Sequence, residues 1–259
     1  MIIRSACETN VGMVRQLNED SLFSNDAVGL WAVADGMGGH QAGDVASQQV
    51  VSSLGEVQAT ADLASLIGAT RAAIQQANSH LIQMSDEYES GRRPGSTVVA
   101  LVINGDSAAI IWAGDSRIYR LRDGQAQQVT RDHSHVQELL DQELITPEEA
   151  EHHPMANVIT RAVGIEEPVE LDVLQFNAVP GDRFLLCSDG LSRLVTLEEI
   201  EESLLSTPVE EAASGFIQTA LQRGASDNVT VVIVECCDSA QQLPDDDDAT
   251  VLYPSGGMV

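Results

Sequence analysis

The chain has no lysine, so arginine supplies all 13 of its basic side chains against 40 aspartates and glutamates. The resulting net charge of −27 argues against a nucleic-acid partner, because nucleic-acid binding needs a basic face. The same shortage of positive charge argues against electrostatic binding to an anionic membrane. An anionic substrate would have to be attracted by bound cations and by a few local arginines.

Long apolar runs are also missing, since no stretch approaches the roughly 18 residues that span a bilayer. The first residues lack the charged region and apolar run of a signal peptide. The four cysteines form no Cys-x-x-Cys pair, and we expect them to be buried, reduced thiols. Together these absences predict a cytoplasmic protein.

The 259 residues are 43% hydrophobic, which suffices for one large domain or two small ones. After Cys237 the sequence turns polar and acidic, so we predict a domain over 1–237 and a disordered tail over 238–259. Thr250 follows the acidic run of this tail. Its phosphorylation could create a docking or substrate site, and a merely solubilising tail is the plainer alternative.

Apolar runs of strand length and helical periodicity alternate irregularly along the chain. Strands are predicted at Ile2–Thr9, Ser21–Asn25, Leu30–Ala34, Thr97–Ile103, Ala108–Trp112, Ile118–Leu121, Val169–Phe176, Phe184–Cys187 and Val229–Glu235. Helices are predicted as a pair within 42–88 and at Ser134–Gln142, Pro147–His152, Leu197–Leu205 and Val209–Arg223. Asn104-Gly105 and Asp123-Gly124 are hairpin signals. The pattern predicts an α+β fold, with two antiparallel sheets packed face to face and helices outside.

Aspartates recur beside apolar runs and next to glycine or asparagine. Asp35, Asp189 and Asp227 are the strongest candidates for metal ligands, and the carbonyl of Gly36 could supply another. Several carboxylates at strand ends indicate a site for hard divalent cations, although each alone could be a turn residue. Two such ions roughly 3.5–4 Å apart, bridged by a carboxylate and a water, would make hydroxide at neutral pH. That arrangement suits attack on phosphorus.

Arginine is the natural phosphate holder in a chain without lysine, and Arg15 is the candidate. An ion pair with Glu19 is the alternative for Arg15. Asp115 could bind a third, weaker ion, or pair structurally with the neighbouring Arg117. His40 could act as a general acid or could equally line a helix start.

Residues 130–168 hold four of the six histidines and are interpreted as a mobile insertion over the site. His133, His135, His152 and His153 lack zinc spacing, and we expect them to be solvated. A cysteine-nucleophile phosphatase is disfavoured, because the sequence after Cys187 lacks a glycine-rich phosphate cradle.

Seven motifs in order make residues 1–237 resemble the bacterial members of the type 2C (PPM) metal-dependent protein phosphatases. They are Arg15 with Asn18-Glu19-Asp20, Asp35-Gly36-Met37-Gly38-Gly39-His40, Gly95-Ser96-Thr97, Gly114-Asp115-Ser116-Arg117, Asn157 to Gly164, Ser188-Asp189-Gly190-Leu191, and Asp227-Asn228-Val229-Thr230. One departure matters, since Met37 stands where eukaryotic members often carry a histidine proposed as general acid.

The resemblance implies a four-layer α-β-β-α sandwich that hydrolyses phosphoserine and phosphothreonine in proteins with Mn²⁺ or Mg²⁺. It implies that Asp35 bridges two ions, that the Gly36 carbonyl binds one, and that Asp189 and Asp227 bind the other. It further implies a third ion at Asp115 and Asp189, and metal-bound water held by Asp20 or Glu19. Residues about 145–165 would be the flap of this family.

The resemblance also predicts a stand-alone, monomeric phosphatase that opposes a bacterial Ser/Thr kinase, as some relatives do in type VI secretion. Two other functions compete with it. A binding module could have lost catalysis on the same scaffold, although the intact acid set argues against that. A hydrolase of small phosphoesters is the third possibility.

Overall fold

The computed structural model describes residues 1–38, 42–85, 93–151 and 153–238. Within these residues the strands are β1 (Ile2–Asn10), β2 (Asp20–Asn25), β3 (Leu30–Met37), β4 (Gly95–Ser96), β5 (Val98–Asn104), β6 (Ser107–Ala113), β7 (Arg117–Arg122), β8 (Gln125–Gln128), β9 (Asp172–Asn177), β10 (Arg183–Cys187) and β11 (Val229–Cys237). The helices are α1 (Ala42–Gly55), α2 (Leu63–Ser85), α3 (His135–Asp141), α4 (Pro147–Glu151), α5 (Asp189–Ser192), α6 (Leu197–Ser206) and α7 (Val209–Gln222).

The strands form two antiparallel sheets. Sheet A has the order β1-β11-β10-β7-β8, and sheet B has the order β2-β3-β5-β6-β9 with β4 added beside β3. Both predicted hairpins are present, since β5–β6 and β7–β8 are adjacent antiparallel pairs. At the second turn Asp123 and Gly124 both take positive φ, of 53° and 78°, as a tight hairpin turn requires.

Apolar side chains fill three separate layers. One layer packs sheet B against α1 and α2, and another packs sheet A against α6 and α7. The third lies between the sheets, where Trp31 and Val33 of sheet B share a cluster with Phe184 and Val232 of sheet A. The architecture is therefore a four-layer α-β-β-α sandwich, which confirms the predicted fold class. None of the helices within the described residues is long and apolar enough to cross a membrane.

The apolar run Leu30–Ala34 is fully buried because β3 is covered on both faces. Leu30, Ala32 and Ala34 face the helices, whereas Trp31 and Val33 face the other sheet. A strand buried on both faces is continuously apolar rather than alternating. The predicted strand was too short, however. β3 continues to Met37, since Gly36 and Met37 pair with Ser96 and Gly95 of β4.

Three short elements were absent from the sequence-based prediction, and the two-residue strand β4 is one of them. β8 is a polar strand of glutamine and alanine, and α5 is a single helical turn that begins at Asp189. The cysteine prediction was only half right. Cys187 and Cys236 are buried and all four thiols are free, but Cys7 is exposed and Cys237 is partly exposed.

Candidate metal centre

Both sheets present aspartates at the same end of the sandwich. Asp35 lies near the end of β3, directly opposite Asp20 at the start of β2. Asp115 follows β6, Asp189 opens α5 after β10, and Asp227 precedes β11. Antiparallel order brings these strand ends together, so residues far apart in sequence share one site.

Side-chain hydroxyl groups form hydrogen bonds with the backbone of Asp35 and the carboxyl group of Asp20. The backbone N–H of Asp35 donates to Thr97 Oγ1 at 3.0 Å, and Thr97 Oγ1 is 2.7 Å from Ser116 Oγ. Ser188 and Thr230 each donate a hydroxyl to Asp20 Oδ2 at 2.7 Å. These bonds tie sheet A to sheet B at the Asp20 carboxyl group.

Burial and neighbouring carboxylates both disfavour the ionised form of these aspartates. Burial, followed by the neighbouring aspartates, raises the pKa of Asp35 well above its usual range. Asp35 keeps partial surface access as a residue, yet its carboxyl group is surrounded by protein. Burial raises the pKa of Asp20 to about 7, although the hydrogen bonds from Thr230 and Ser188 act to lower it. Burial likewise raises the pKa of Asp115 to about 7. Burial also raises the pKa of Asp189, although Arg193 opposes this.

Two buried oxygens at this site accept no hydrogen bond from any described residue: Glu19 Oε1 and Asp115 Oδ1. Buried oxygens normally have a partner, so these two indicate a missing cation or water. No three His, Cys, Asp or Glu side chains of the described part already surround a single point. Mg²⁺-type ions need only one or two carboxylates each, with waters completing the shell. The donor set therefore fits hard divalent ions that share carboxylates.

The Gly36 carbonyl faces the same point as Glu19. A Cβ built on Gly43 would lie 2.7 Å from the Gly36 carbonyl oxygen and 2.5 Å from Glu19 Oε1. A Cβ built on Gly36 would lie 2.0 Å from the Gly43 carbonyl oxygen. Glycine at both positions therefore permits this close approach, in which the Gly36 carbonyl oxygen and Glu19 Oε1 both lie against Gly43.

Among the described residues, Arg15 and Arg193 are the two arginines that form ion pairs with the cluster. Arg15 Nη2 lies 2.8 Å from Asp227 Oδ2, so the alternative pairing of Arg15 with Glu19 is wrong. Arg193 Nη2 lies 2.6 Å from Asp189 Oδ2 and 3.8 Å from Asp115 Oδ2. Sequence reasoning missed Arg193, although its position four residues after Asp189 in a helical turn was a usable signal.

The alternative pairing of Asp115 with Arg117 is also wrong. Arg117 instead binds Asp132 through Nε and Nη2, at distances of 2.7 to 3.1 Å. This leaves Asp115 directed into the carboxylate cluster, with Arg193 as its nearest cation.

His133 holds the loop that carries Asp115. Contrary to the sequence-based expectation, its side chain is not solvated. Its side chain is only 10% exposed and stacks on Trp112 at 6.1 Å between ring centroids. The backbone N–H of Gly114 donates to His133 Nδ1, and the backbone N–H of His133 donates to the Gly114 carbonyl. On the other side of the ring, Nε2 lies 3.3 Å from Asp172 Oδ2 and 3.1 Å from Arg161 Nη1, so His133 also contacts the Arg161–Asp172 ion pair.

Asn228 organises the loop before β2 and was also missed as an individual residue. Its side chain accepts the backbone N–H of Glu19 at 2.8 Å and donates to the carbonyls of Val11 and Leu17. One amide thus anchors residues 11–19 beside Asp227. Its position directly after Asp227, a candidate metal ligand, was the available signal in the sequence. The residues to which Asn228 is hydrogen-bonded, however, lie over 200 positions away.

Predictions for four further residues remain, namely Cys187, His40, His152 and Thr250. Burial raises the pKa of Cys187 to about 12, so a thiolate nucleophile there is excluded. His40 and His152 lie outside the described residues, as does Thr250.

Comparisons with known proteins agree with this geometry. The family model described as protein phosphatase 2C matches residues 13–231. The serine/threonine protein phosphatase PstP of Mycobacterium tuberculosis is 41% identical over 241 residues, which are 92% of this chain and 46% of PstP. The chain thus spans about half the length of that relative. The serine/threonine phosphatase stp of Listeria monocytogenes is 39% identical, over 88% of this chain and 93% of stp.

Solved structures show the same likeness. PppA, a key regulatory component of T6SS in Pseudomonas aeruginosa, is 42% identical with a TM-score of 0.84, over 91% of this chain and 98% of that one. The catalytic domain of PstP in complex with two manganese ions is 40% identical with a TM-score of 0.80, over 91% of this chain and 99% of that one. Sequence, fold and site together assign the chain to the metal-dependent protein phosphatase 2C family, to which it belongs.

Proposed function

We propose that this chain hydrolyses phosphoserine and phosphothreonine in proteins with two divalent ions, Mn²⁺ or Mg²⁺. Asp35, the Gly36 carbonyl, Asp189 and Asp227 would hold these ions. The observation that carries the proposal is the buried aspartate cluster, whose mutual repulsion the two nearby arginines only partly offset. Bound there, the ions would supply an activated water and neutralise charge on the phosphoryl group.

Arg15 would bind the phosphoryl oxygens of the substrate. Its side chain is 48% exposed and its planar fork matches phosphate geometry. Cations that neutralise Asp227 would free the guanidinium group for this role. Asp20, whose carboxyl group accepts from Ser188 and Thr230, would accept a hydrogen bond from the attacking water.

A third ion at Asp115 and Asp189 is part of the proposal. Both carboxylates face Arg193, and Asp115 Oδ1 has no hydrogen-bond donor among the described residues. A weaker ion at this position would take the place of Arg193 beside Asp115.

The test of the activity is hydrolysis of a phosphothreonine peptide, para-nitrophenyl phosphate and free sugar phosphates, each with Mn²⁺ and with EDTA. We expect metal-dependent hydrolysis of the first two and little hydrolysis of sugar phosphates. Arg15→Ala should raise the KM for the peptide and lower kcat, because the phosphate loses a bidentate partner. Preference for sugar phosphates would favour the small-phosphoester hydrolase, and inactivity at every metal concentration would favour a binding module.

In the cell, the proposed role is to oppose a Ser/Thr kinase, as a cytoplasmic monomer with its catalytic domain over 1–237 and its flap over about 145–165. The similarity to PppA supports a place in type VI secretion control as one setting. Phosphoproteomics of a strain carrying Asp35→Ala should reveal the proteins that gain phosphate. If no type VI component is among them, the secretion role is wrong.

A further inference from the structure

Five consecutive exposed residues, Met13 to Leu17, lie beside the aspartate cluster. Three of them are large and apolar: Met13 is 65% exposed, Val14 68% and Leu17 47%. Arg15 is the only charged member, and it contacts Asp227. We name these five residues the apolar ledge. Single exposed apolar side chains need no explanation, but three grouped around the proposed phosphate-binding arginine indicate a contact surface.

The apolar ledge is rigid because its two ends are tied to the turn that carries Asp227. The backbone N–H of Met13 donates to the Ala225 carbonyl at 2.8 Å, and Asn228 Nδ2 donates to the Leu17 carbonyl at 3.0 Å. At Gly12, φ is +79° and a Cβ would lie 2.2 Å from the Asp227 carbonyl oxygen. A preorganised surface loses little conformational entropy when a ligand binds, so its apolar side chains can contribute to affinity.

We propose that the apolar ledge binds the residues that flank the phosphorylated Ser or Thr, and that it selects substrates with apolar rather than acidic flanks. This inference rests on the proposed function and names its substrate class. Once Arg15 holds the phosphate, the neighbouring residues of an extended substrate lie within reach of Val14 and Leu17, because consecutive Cα atoms are about 3.8 Å apart.

Charge argues against acidic flanks. The chain carries a net charge of −27, and the apolar ledge borders five clustered aspartates. Acidic flanks would be repelled there, whereas apolar flanks would gain from burial against Met13, Val14 and Leu17.

The experiment compares three phosphothreonine peptides that differ only in the two residues on each side: leucine, serine or glutamate. For the wild-type chain with Mn²⁺ we expect a KM about fivefold to tenfold lower for the leucine peptide than for the serine peptide, which is less than full burial of one leucine side chain would give because the apolar ledge is an open surface. The glutamate peptide should have the highest KM, and kcat should vary little. Equal KM values for leucine and serine peptides would overturn the inference.

The variant Val14→Ser/Leu17→Ser tests the residues themselves. It should reduce the leucine-over-serine preference to less than about twofold, and it should affect para-nitrophenyl phosphate, which has no flanking residues, far less than the leucine peptide. Leu205→Ser is the matched control, because Leu205 is similarly exposed at 52% but lies on α6, outside the cluster. Retention of the full preference in the double variant contradicts the assignment.

Binding separates this inference from the proposed function. If the chain hydrolyses none of the substrates, the proposed function fails. Fluorescence anisotropy with the same labelled peptides then still decides the inference. Tighter binding of the leucine peptide, lost in Val14→Ser/Leu17→Ser but kept in Leu205→Ser, supports the apolar ledge, and equal binding of all peptides overturns it.

Discussion

Two ends of this sandwich bury aspartates in opposite ways. At one end Asp182 is fully buried, and Arg122 binds it through Nε and Nη2 at 2.7 and 2.5 Å. The backbone N–H of Val179 also donates to Asp182, at 2.9 Å. At the other end Asp20, Asp35 and Asp115 approach one another with raised pKa values.

The difference lies in where each carboxylate finds its countercharge. Asp182 finds it within the chain, so it holds β7 to the turn before β10 as a structural element. Among the described residues, the Asp35 end has five aspartates and two partly exposed arginines, so a bound cation would balance the excess negative charge there. A buried charge without a partner is costly, and a fold retains such a cost where a ligand offsets it.

The largest expected effect is on catalysis by Asp35→Asn. The substitution should lower kcat with Mn²⁺ by at least about 10³-fold, or roughly 4 kcal/mol of activation free energy. It should also raise the thermal stability of the protein in EDTA, because folding then no longer has to bury an ionisable carboxyl group among other aspartates. Turnover of para-nitrophenyl phosphate and thermal unfolding measure the two effects. Asp106→Asn, in an exposed turn, is the control. A loss of stability of Asp35→Asn in EDTA would contradict the contrast between the two ends of the sandwich.

Next in size is the effect of Asp182→Asn on stability. Breaking a buried, bidentate ion pair should lower the free energy of unfolding by about 3 kcal/mol, while activity of the folded protein persists. Chemical denaturation measures this change. Asp123→Asn, an exposed acid of the β7–β8 turn, is the matched control and should change the free energy of unfolding by less than about 0.5 kcal/mol.

A smaller effect is expected on the pH dependence of the metal-free protein. The pKa of Asp20 is raised to about 7 in the folded state, so the folded protein binds more protons than the unfolded chain between pH 4 and 7. The Asp20 carboxyl group alone should therefore lower stability by about 2 kcal/mol as pH rises from 5.5 to 8, and Asp115, whose pKa is also raised to about 7, should add to this fall.

Thermal unfolding at several pH values in EDTA, repeated with Mn²⁺, measures this slope. Mn²⁺ should flatten the slope, because a cation stabilises the ionised carboxylates. Asp20→Asn should reduce the slope without metal. A stability that rises with pH in EDTA would contradict the assigned repulsion.

The smallest expected effect concerns His133 as a positioning residue for Asp115. His133→Gln moves the side-chain acceptor from the position of Nδ1 to about that of Nε2, away from the Gly114 N–H, and should raise the Mn²⁺ concentration for half-maximal activity by about threefold to tenfold, roughly 1 kcal/mol. His133→Asn, whose side-chain oxygen can replace Nδ1, should restore much of the metal affinity. Equal metal dependence in both variants would show that His133 serves packing alone.

Sequence patterns predicted the strands and the paired helices because apolar periodicity records which faces are buried. The sequence patterns failed to predict those strand residues whose structure depends on pairing with another strand. β3 reaches Asp35 because it pairs there with Asp20 of β2, and it continues to Met37 because β4, almost 60 residues later, pairs with Gly36 and Met37. β8 has little apolar content and is a strand because it pairs with β7.

The candidate site shows the same division. The motifs around Asp35, Asp189 and Asp227 suggested metal chemistry, since aspartates beside glycine or asparagine are local features. The partners of those residues are not local. That Arg15 contacts Asp227, that Arg117 turns to Asp132, and that His133 is buried under Trp112 could not be predicted from spacing.

The sequence by itself determined the acidic, lysine-free character of this protein, its sandwich of sheets and helices, and the set of aspartates that could bind cations. Only the tertiary structure decided which of those aspartates have a countercharge within the chain. The physical reason is that the energy of a carboxylate depends on its burial and on charges within a few ångströms, and strands from both sheets set those distances.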